Sequence, residues 1–401
     1  MFPFPIHIVD DEDAMVGNRN TKGMSSLQKE KHVFKRCKEL VSMYRDIDPD
    51  KARTIACLDQ HDPVTGKATP GWLAARIGRI TGSMSGSVAR SHMGASKVLN
   101  PYESPTKALR TMLGMNPFKG NDATRWGNHH EDMAEEAFLL GETACGRWDF
   151  PRGVQHRGLV VCEEPGMGMF GMSPDGVADE VGGAAQASGE RVLVEYKCPY
   201  RQRQKTAEIA MLMVEGETSN QYEFMDVDWL DAAVRGDKGD ALRVPATSAT
   251  AWITADLYPE NHLPDGTIGP VPPYYWCQVQ YGMTVLGLRR AFFCVWAPMF
   301  ANADRVVRNR PACATTGMLE SRVCLTFRGL CQTTVVPRAE QWCDTVLMPQ
   351  LHEFWYGRYV PYRAMMDLGI KTIDDLSRGR LPRDAEEIAN KWYRNNTLLL
   401  A

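Results

Sequence analysis

The sequence predicts an α/β fold, a mixed central sheet flanked by helices. Two observations carry that expectation. Short apolar runs that read as buried strands, at 158–162, 191–197 and 291–296, alternate with segments of helical period at 128–140 and 274–288. Turn and stop residues fall between them: Ser173-Pro-Asp-Gly176 separates the first two strands, and Pro199 and Pro298 close the second and third.

In chain order, residues 1–24 are polar, with the acidic cluster Asp10-Asp11-Glu12-Asp13, and read as a loosely docked end. Leu27, Val33, Phe34, Cys37, Leu40, Val41 and Tyr44 predict a helix to about Tyr44, with Ser25 or Ser26 as its cap. A turn-rich stretch, His61 to Gly71, leads to a new element at Trp72. A helix is expected over 205–214. Residues 215–270 are Gly- and Pro-rich and weakly periodic and read as an insertion, and 339–366 reads as helical, with Pro349 and Pro361 as kinks or interruptions. The expected organisation is an extension with one helix (1–70), a core (71–300) and a mainly helical extension (301–401).

A chain of 401 residues, 44% hydrophobic and 24% charged, has the composition of an ordinary globular protein with one large core or two modest ones. It lacks any apolar run of about 18 residues, so a membrane role is not expected. The N-terminus does not read as a secretory signal. Eleven cysteines without a Cys-x-x-Cys pair argue against a disulfide framework or zinc ribbon and for reduced thiols inside a cell, with nucleus and cytoplasm equally open. The net charge of −3 gives no sign of a nucleic-acid partner, so any basic groove must be local.

The chemistry lies in Ser173-Pro-Asp175-Gly176 followed by Glu195-Tyr-Lys197. Residues two apart on a strand share a face, so Glu195 and Lys197 point together while Val194 and Tyr196 point away. A bend at 173–176 can aim Asp175 at the same side. Two carboxylates beside an ammonium are costly unless a cation offsets them, and Mg²⁺ takes oxygen ligands. Lys197 could then orient or deprotonate a water that attacks a phosphate. Glu-x-Lys alone is more often a surface ion pair; Pro-Asp-Gly at this distance from a Val-Leu-Val strand narrows the reading. Glu131 borders the apolar stripe of Ala134, Ala137 and Phe138, as a helix-dipole partner or a metal ligand. His129 and His130 point apart on a helix and do not make a zinc site.

These residues and their neighbours resemble the lambda-exonuclease/YqaJ viral recombinase group, nucleases of the PD-(D/E)XK superfamily with a restriction-endonuclease-like core. The resemblance runs from about Trp72 to Met299 in ordered blocks: Trp72-x-x-x-Arg76-x-Gly-x-Ile80-Thr81-Gly-Ser83, Trp126-Gly-x-x-x-Glu131, Ser173-Pro-Asp175-Gly176, Glu195-x-Lys197-Cys198-Pro199, and Gln278-Val-Gln280-Tyr-x-Met283 followed by Ala291-Phe-Phe. It implies that Glu131, Asp175, Glu195 and the main-chain carbonyl of Tyr196 hold Mg²⁺, with Mn²⁺ as a substitute. Lys197 would activate water and Gln280 would line the site, with Gln278 structural. Arg76, Thr81 and Ser83 would receive a terminal 5′-phosphate, and Arg203 would make another phosphate contact. An arginine fork matches phosphate oxygens, and hydroxyls donate to them. The implied activity is 5′→3′ digestion of double-stranded DNA ends to leave 3′ single strands for recombination or genome processing, with a single-strand annealing protein as a possible partner and a homotrimer as a possible assembly.

The chain departs from the pattern in Gly82, where the family usually has Ala, in a longer stretch between Lys197 and Gln280, and in the two extensions. Its cysteines do not match a four-cysteine iron–sulfur set. Two rival readings stand beside the exonuclease: an alkaline-nuclease-type endonuclease cutting DNA or RNA internally, and a non-catalytic DNA recombination scaffold, which the presence of all three acids and the lysine disfavours.

Overall fold

The computed structural model describes residues 24–115, 120–145, 148–182, 190–200, 213–215, 222–224, 251–252, 261–297, 318–326, 329–370 and 383–396. The described residues open with α1 (Ser26–Arg45) and α2 (Pro49–Ala56). Ser25 and Gln28 form a reciprocal capping box on α1, and Asp48 caps α2. Among the described residues the N-terminal extension thus holds two helices where the sequence suggests one, because eight residues starting at a proline show no readable period. Next come α3 (Pro70–Arg76), β1 (Ile80–Thr81), α4 (Gly82–Val88), α5 (Pro105–Met112) and the long α6 (Asp122–Cys145). Helix α6 starts a turn and a half before the expected Asn128, where the Asn121 side chain accepts from Thr124 N; Gly127 hides this first stretch from a propensity reading.

Short strands β2 (Trp148–Asp149), β3 (Val154–Gln155), β4 (Val160–Val161) and β5 (Phe170–Met172) lead to β6 (Gly176–Gly182) and β7 (Glu190–Lys197). Beyond them lie β8 (Met213–Glu215), β9 (Tyr222–Phe224), β10 (Ala251–Trp252), β11 (Asn261–His262) and β12 (Ile268–Gly269). The helix expected over 205–214 lies outside the described residues except for its last two, Met213 and Val214, which are paired in β8 with β9 and so are extended. Helix α7 (Pro273–Leu286) and β13 (Arg290–Ala297) follow. The C-terminal region, expected to be mainly helical, first adds β14 (Ser321–Thr326) and β15 (Gly329–Pro337). Their polar Thr- and Gln-bearing runs lack the apolar alternation that announces a strand.

The main sheet of the described residues has eight strands in the order β10-β14-β15-β13-β7-β6-β2, with β3 also on β6. Strand β7 is parallel to β13 and antiparallel to β6, so the sheet is mixed as expected. Alternation along β7 and β13 divides two cores. Val192, Val194, Tyr196, Phe292 and Cys294 pack with Ala134, Ala137 and Phe138 of α6 on one face, while Leu193, Phe293 and Val295 pack with Trp276, Val279 and Met283 of α7 on the other. No helix among the described residues is long and apolar enough to cross a membrane, and no disulfide joins the described cysteines.

Beyond the sheet, α8 (Glu340–Trp342), α9 (Met348–Phe354), α10 (Val360–Asp367) and α11 (Arg383–Asn396) close the chain. Wider π-helical turns at Cys343–Leu347 and Trp355–Tyr359 immediately precede α9 and α10. Pro349 and Pro361 each sit two residues past such a turn. A π-turn leaves room for the ring and for the missing N–H, so each proline is absorbed without breaking the helical path.

The two extensions pack together. The ring of Phe34 lies 5.6 Å from Trp392, Tyr44 lies 5.9 Å from Trp355, and Arg36 pairs with Asp367 at 2.8 Å. Both close on Gly78, whose carbonyl accepts from Trp355 Nε1 at 2.8 Å. Gly78 has φ +81°, and a Cβ there would strike the phenol oxygens of Tyr44 and Tyr359. Gly78→Ala is therefore expected to lower the unfolding free energy by roughly 2–4 kcal/mol, from positive-φ strain plus overpacking. A urea unfolding curve coincident with that of the unmodified protein would contradict this account of how the extensions seat the segment after Arg76.

Candidate active site

The turn that carries Asp175 is fixed residue by residue. Trp72 Nε1 donates to Ser173 Oγ at 2.8 Å, and Gln60 Nε2 donates to the carbonyl of Pro174 at 3.1 Å. The Asp175 carbonyl accepts from His156 Nδ1 at 2.9 Å, and its Oδ2 accepts from Tyr196 N at 2.8 Å. Strand register sets Gly176 beside Val194, so Asp175 stands next to Glu195 at the end of the β6–β7 pair.

Glu195 and Lys197 share the α7 side of β7, as strand alternation requires. The Lys197 ammonium donates to Glu195 Oε1 at 2.5 Å and to the Tyr196 carbonyl at 3.0 Å, and lies 3.7 Å from Asp175 Oδ2. Burial alone would favour the neutral amine, but the Glu195 and Asp175 carboxylates outweigh it and hold Lys197 protonated, its pKa well above the usual lysine value. The carboxyl groups show the opposite imbalance. Glu195, only 1% exposed, is pushed up to about 8 by burial and then by the neighbouring Asp175 carboxylate, against the pull of Lys197. Glu131 is pushed up to about 7 by burial and Asp175, again opposed by Lys197. The three acids and the lysine thus sense one another's charge, and the lysine alone does not balance the acids.

Among the described residues no three His, Cys, Asp or Glu side chains converge tightly enough to enclose an ion. The Lys197 ammonium instead lies among the oxygens of Glu195, Asp175 and Tyr196. The donor set nonetheless suits a hard divalent cation: it is all oxygen, burial and the neighbouring Asp175 carboxylate hold Glu195 and Glu131 above their ordinary range, and Glu195 Oε2 is buried without a hydrogen-bond partner.

Arg76, Thr81 and Ser83 meet. Arg76 Nη2 donates to Thr81 Oγ1 at 3.1 Å and Ser83 Oγ at 3.3 Å, and its guanidinium lies 4.3 Å from the centre of the Trp72 ring. Burial lowers its pKa to about 10, so it stays charged at neutral pH. No acidic side chain pairs with it among the described residues, which leaves a packed cation flanked by hydroxyls. Thr81 is located by Tyr281, whose buried hydroxyl donates to the Ile80 carbonyl at 2.6 Å and accepts from Gly171 N at 3.0 Å.

The structure exchanges the roles expected of the two glutamines. Gln278 donates to Glu195 Oε1. Gln280 is fully buried and ties the end of β15 to the start of α8: it donates to the Pro337 carbonyl at 2.9 Å and accepts from Ala339 N at 2.8 Å. Two positions along a helix differ by about 200°, so only one of them can face the acids, and the sequence does not say which. Gly82 has a local reason: a Cβ there would press on Met172 Sδ and Gln278 Cγ, next to the residue that contacts Glu195. Arg203 lies outside the described residues. His130 stacks between Trp126 at 3.8 Å and Trp296 at 5.1 Å, an aromatic packing role.

Sequence reasoning misses Gln60, His61 and His156, which carry no motif. His156 lies 3.2 Å from Glu135 of α6, and that hydrogen-bonded carboxylate raises it to about 9 despite partial burial. Through Glu135 and the Asp175 carbonyl it joins α6 to the Asp175 turn. His61 Nε2 accepts from Asn128 Nδ2 at 3.0 Å. Its pKa is lowered by burial, with smaller opposing influences from the nearby Asp175 and Arg76 charges.

Comparison with known proteins gives a family-model match over part of the chain. Residues 71–222 match the family model of the YqaJ-like viral recombinase domain. Among solved structures the chain is similar to an alkaline exonuclease (LHK-Exo) from Laribacter hongkongensis, at 15% identity and TM-score 0.34, covering 83% of this chain and 100% of the other. It is also similar to KSHV SOX in complex with DNA, at 13% identity and TM-score 0.33, covering 85% of this chain and 74% of that one. No curated protein matches.

The two glutamines separate by mutation. Gln278→Ala is expected to lower turnover about 10- to 100-fold with stability nearly unchanged, as for loss of a group that orients a metal-ligand carboxylate. Gln280→Ala is expected to cost roughly 1–3 kcal/mol of stability through buried backbone groups left unpaired, with a smaller effect on turnover per folded molecule. Steady-state rates together with urea unfolding distinguish the two, and the reverse pattern would restore Gln280 to the site.

Proposed function

We propose that this chain, whose residues 71–222 match the family model of the YqaJ-like viral recombinase domain, is a nuclease that hydrolyses double-stranded DNA from 5′ ends with Mg²⁺. The observation that supports this reading is the contact of Lys197 with Glu195 and Asp175, with Glu131 near enough to feel the charges of Asp175 and Lys197, together with a separate pocket of Arg76, Thr81 and Ser83.

Glu131, Asp175, Glu195 and the Tyr196 carbonyl would hold the divalent cation. When bound, it supplies positive charge to the scissile phosphate and its developing oxyanion. The remaining work belongs to the chain. Gln278 fixes the Glu195 carboxylate through Oε1. The Tyr196 amide fixes Asp175 through Oδ2. Lys197 Nζ, gripped by Glu195 and the Tyr196 carbonyl, holds a water for in-line attack on phosphorus and steadies the charge that develops there. Trp72 joins the two centres: its ring lies under the Arg76 guanidinium while its Nε1 holds Ser173, two residues before Asp175. A 5′-phosphate on Arg76 would therefore sit at a fixed offset from the acids, which is what end-dependent cutting requires.

Internal cutting, as by an alkaline-nuclease-type endonuclease, would use the same acids and lysine but has no need of a terminal-phosphate pocket. Digestion of linear 5′-phosphorylated DNA should exceed that of a covalently closed circle by orders of magnitude. Arg76→Ala should reduce the advantage of a 5′-phosphate over a 5′-hydroxyl end by about tenfold or more, since a charge-assisted bond of roughly 1.5–3 kcal/mol is lost. Lys197→Ala or Asp175→Asn should reduce digestion at least ~100-fold. Efficient degradation of the circle would overturn end dependence, and undiminished activity of both acid and lysine variants would overturn the site.

A further inference from the structure

We propose that Tyr275, Tyr274 and Tyr102 form a nucleobase-stacking track that leads from Lys197 to the surface and receives the bases next to the scissile phosphate. The inference rests on the nuclease reading of the Lys197 site and adds the part of the substrate that this side of the site recognises.

The three rings are continuous. Lys197 Nζ lies 5.2 Å from the centre of the Tyr275 ring. Tyr275 is followed by Tyr274 at 4.3 Å, and Tyr274 by Tyr102 at 5.7 Å with the planes at 90°. The innermost ring is backed by the core through Phe293 at 5.8 Å, while Tyr102 is 70% exposed. An aromatic placed only for packing would be covered. Here the row begins at the catalytic ammonium and ends in water.

The exposed end is fixed despite its exposure. Tyr102 N donates to Asn100 Oδ1 at 2.9 Å, and Asn100 Nδ2 donates to Ser87 Oγ at 3.1 Å. Ser87 in turn donates to Glu103 at 2.8 Å, and Asn100 N donates to the Gly86 carbonyl at 2.7 Å. A Cβ on Gly86 would come within 3.3 Å of Tyr274, so the loop bearing Tyr102 and the start of α7 are closely seated on each other. The backbone below the exposed ring is thus held before any ligand arrives, which lowers the ordering cost of binding.

Nucleobases are the ligand class that suits such a row. Every base has a π-face, stacking on tyrosine tolerates sequence, and neighbouring bases on one strand can meet successive rings. A strand held with its scissile phosphate at Lys197 brings its next bases past Tyr275 and Tyr274 toward Tyr102. The expected preference is for ends that present unpaired bases there, with little discrimination among the four.

The test uses the full chain and a fluorescent duplex with a short single-stranded end, bound in chelator so that it is not cut. Replacing the terminal bases with abasic sites should weaken binding to the wild type roughly tenfold. Tyr102→Ala should bind the normal end about as weakly as wild type binds the abasic one, with little further loss on the abasic end, while Tyr102→Trp should keep the preference. Wild-type indifference to abasic ends, or Tyr102→Ala that still favours normal ends tenfold, would overturn the track. The abasic comparison on wild type stands even where a variant folds poorly. The same duplex incubated with Mg²⁺ separates the two levels: if wild type cuts it but ignores abasic substitution, the track alone fails, and if wild type cuts no DNA, the nuclease reading fails and takes the track with it.

Discussion

One buried ammonium held by two carboxyl groups, with a third acid within reach of its charge, is the constraint on which the rest depends. Lys197 reaches Glu195, the Tyr196 carbonyl and Asp175, and Glu131 joins through its charge from a different helix. With desolvation added, this arrangement would be unfavourable in an ordinary core. The fold holds it by bringing four pieces of chain to one end of the sheet: β7 supplies Glu195 and Lys197, the turn before β6 supplies Asp175, α6 supplies Glu131, and α7 supplies Gln278. Each lies where strand register or helix packing on the two cores has already placed it.

The support around the acids reaches well beyond the residues that touch them. Trp72, Gln60 and His156 each hold one residue of the 173–175 turn. The segment after Arg76 is seated in turn by Gly78, which both terminal extensions enclose. The extensions therefore act as a brace for the arginine pocket. Their Phe34–Trp392 and Tyr44–Trp355 contacts couple chain ends far apart in sequence to the placement of Arg76. One indole thus joins the arginine pocket to the turn that carries Asp175.

Much of this is legible in the sequence, and the boundary of legibility has physical causes. The shared face of Glu195 and Lys197 follows from strand alternation, and their opposition to Val194 and Tyr196 appears directly in the two cores. Arg76, Thr81 and Ser83 come together as their block implies. The helix over Pro273–Leu286 is equally plain, but its rotation about its own axis is not, because almost every face of it is apolar; the pattern therefore cannot tell whether Gln278 or Gln280 meets the acids. Strands Ser321–Thr326 and Gly329–Pro337 escape notice because threonines and a glutamine are buried along β15. His61 and His156 act through long-range contacts that leave no local pattern.

The central claim is that Glu131, Asp175 and Glu195 serve one divalent cation. Calorimetric titration of the metal-free protein with Mn²⁺, set beside Glu131→Gln, Asp175→Asn and Glu195→Gln variants shown to be folded, measures this directly. The account predicts binding to the wild type that each of the three substitutions weakens severely. Binding of unchanged affinity and stoichiometry in all three variants would contradict it.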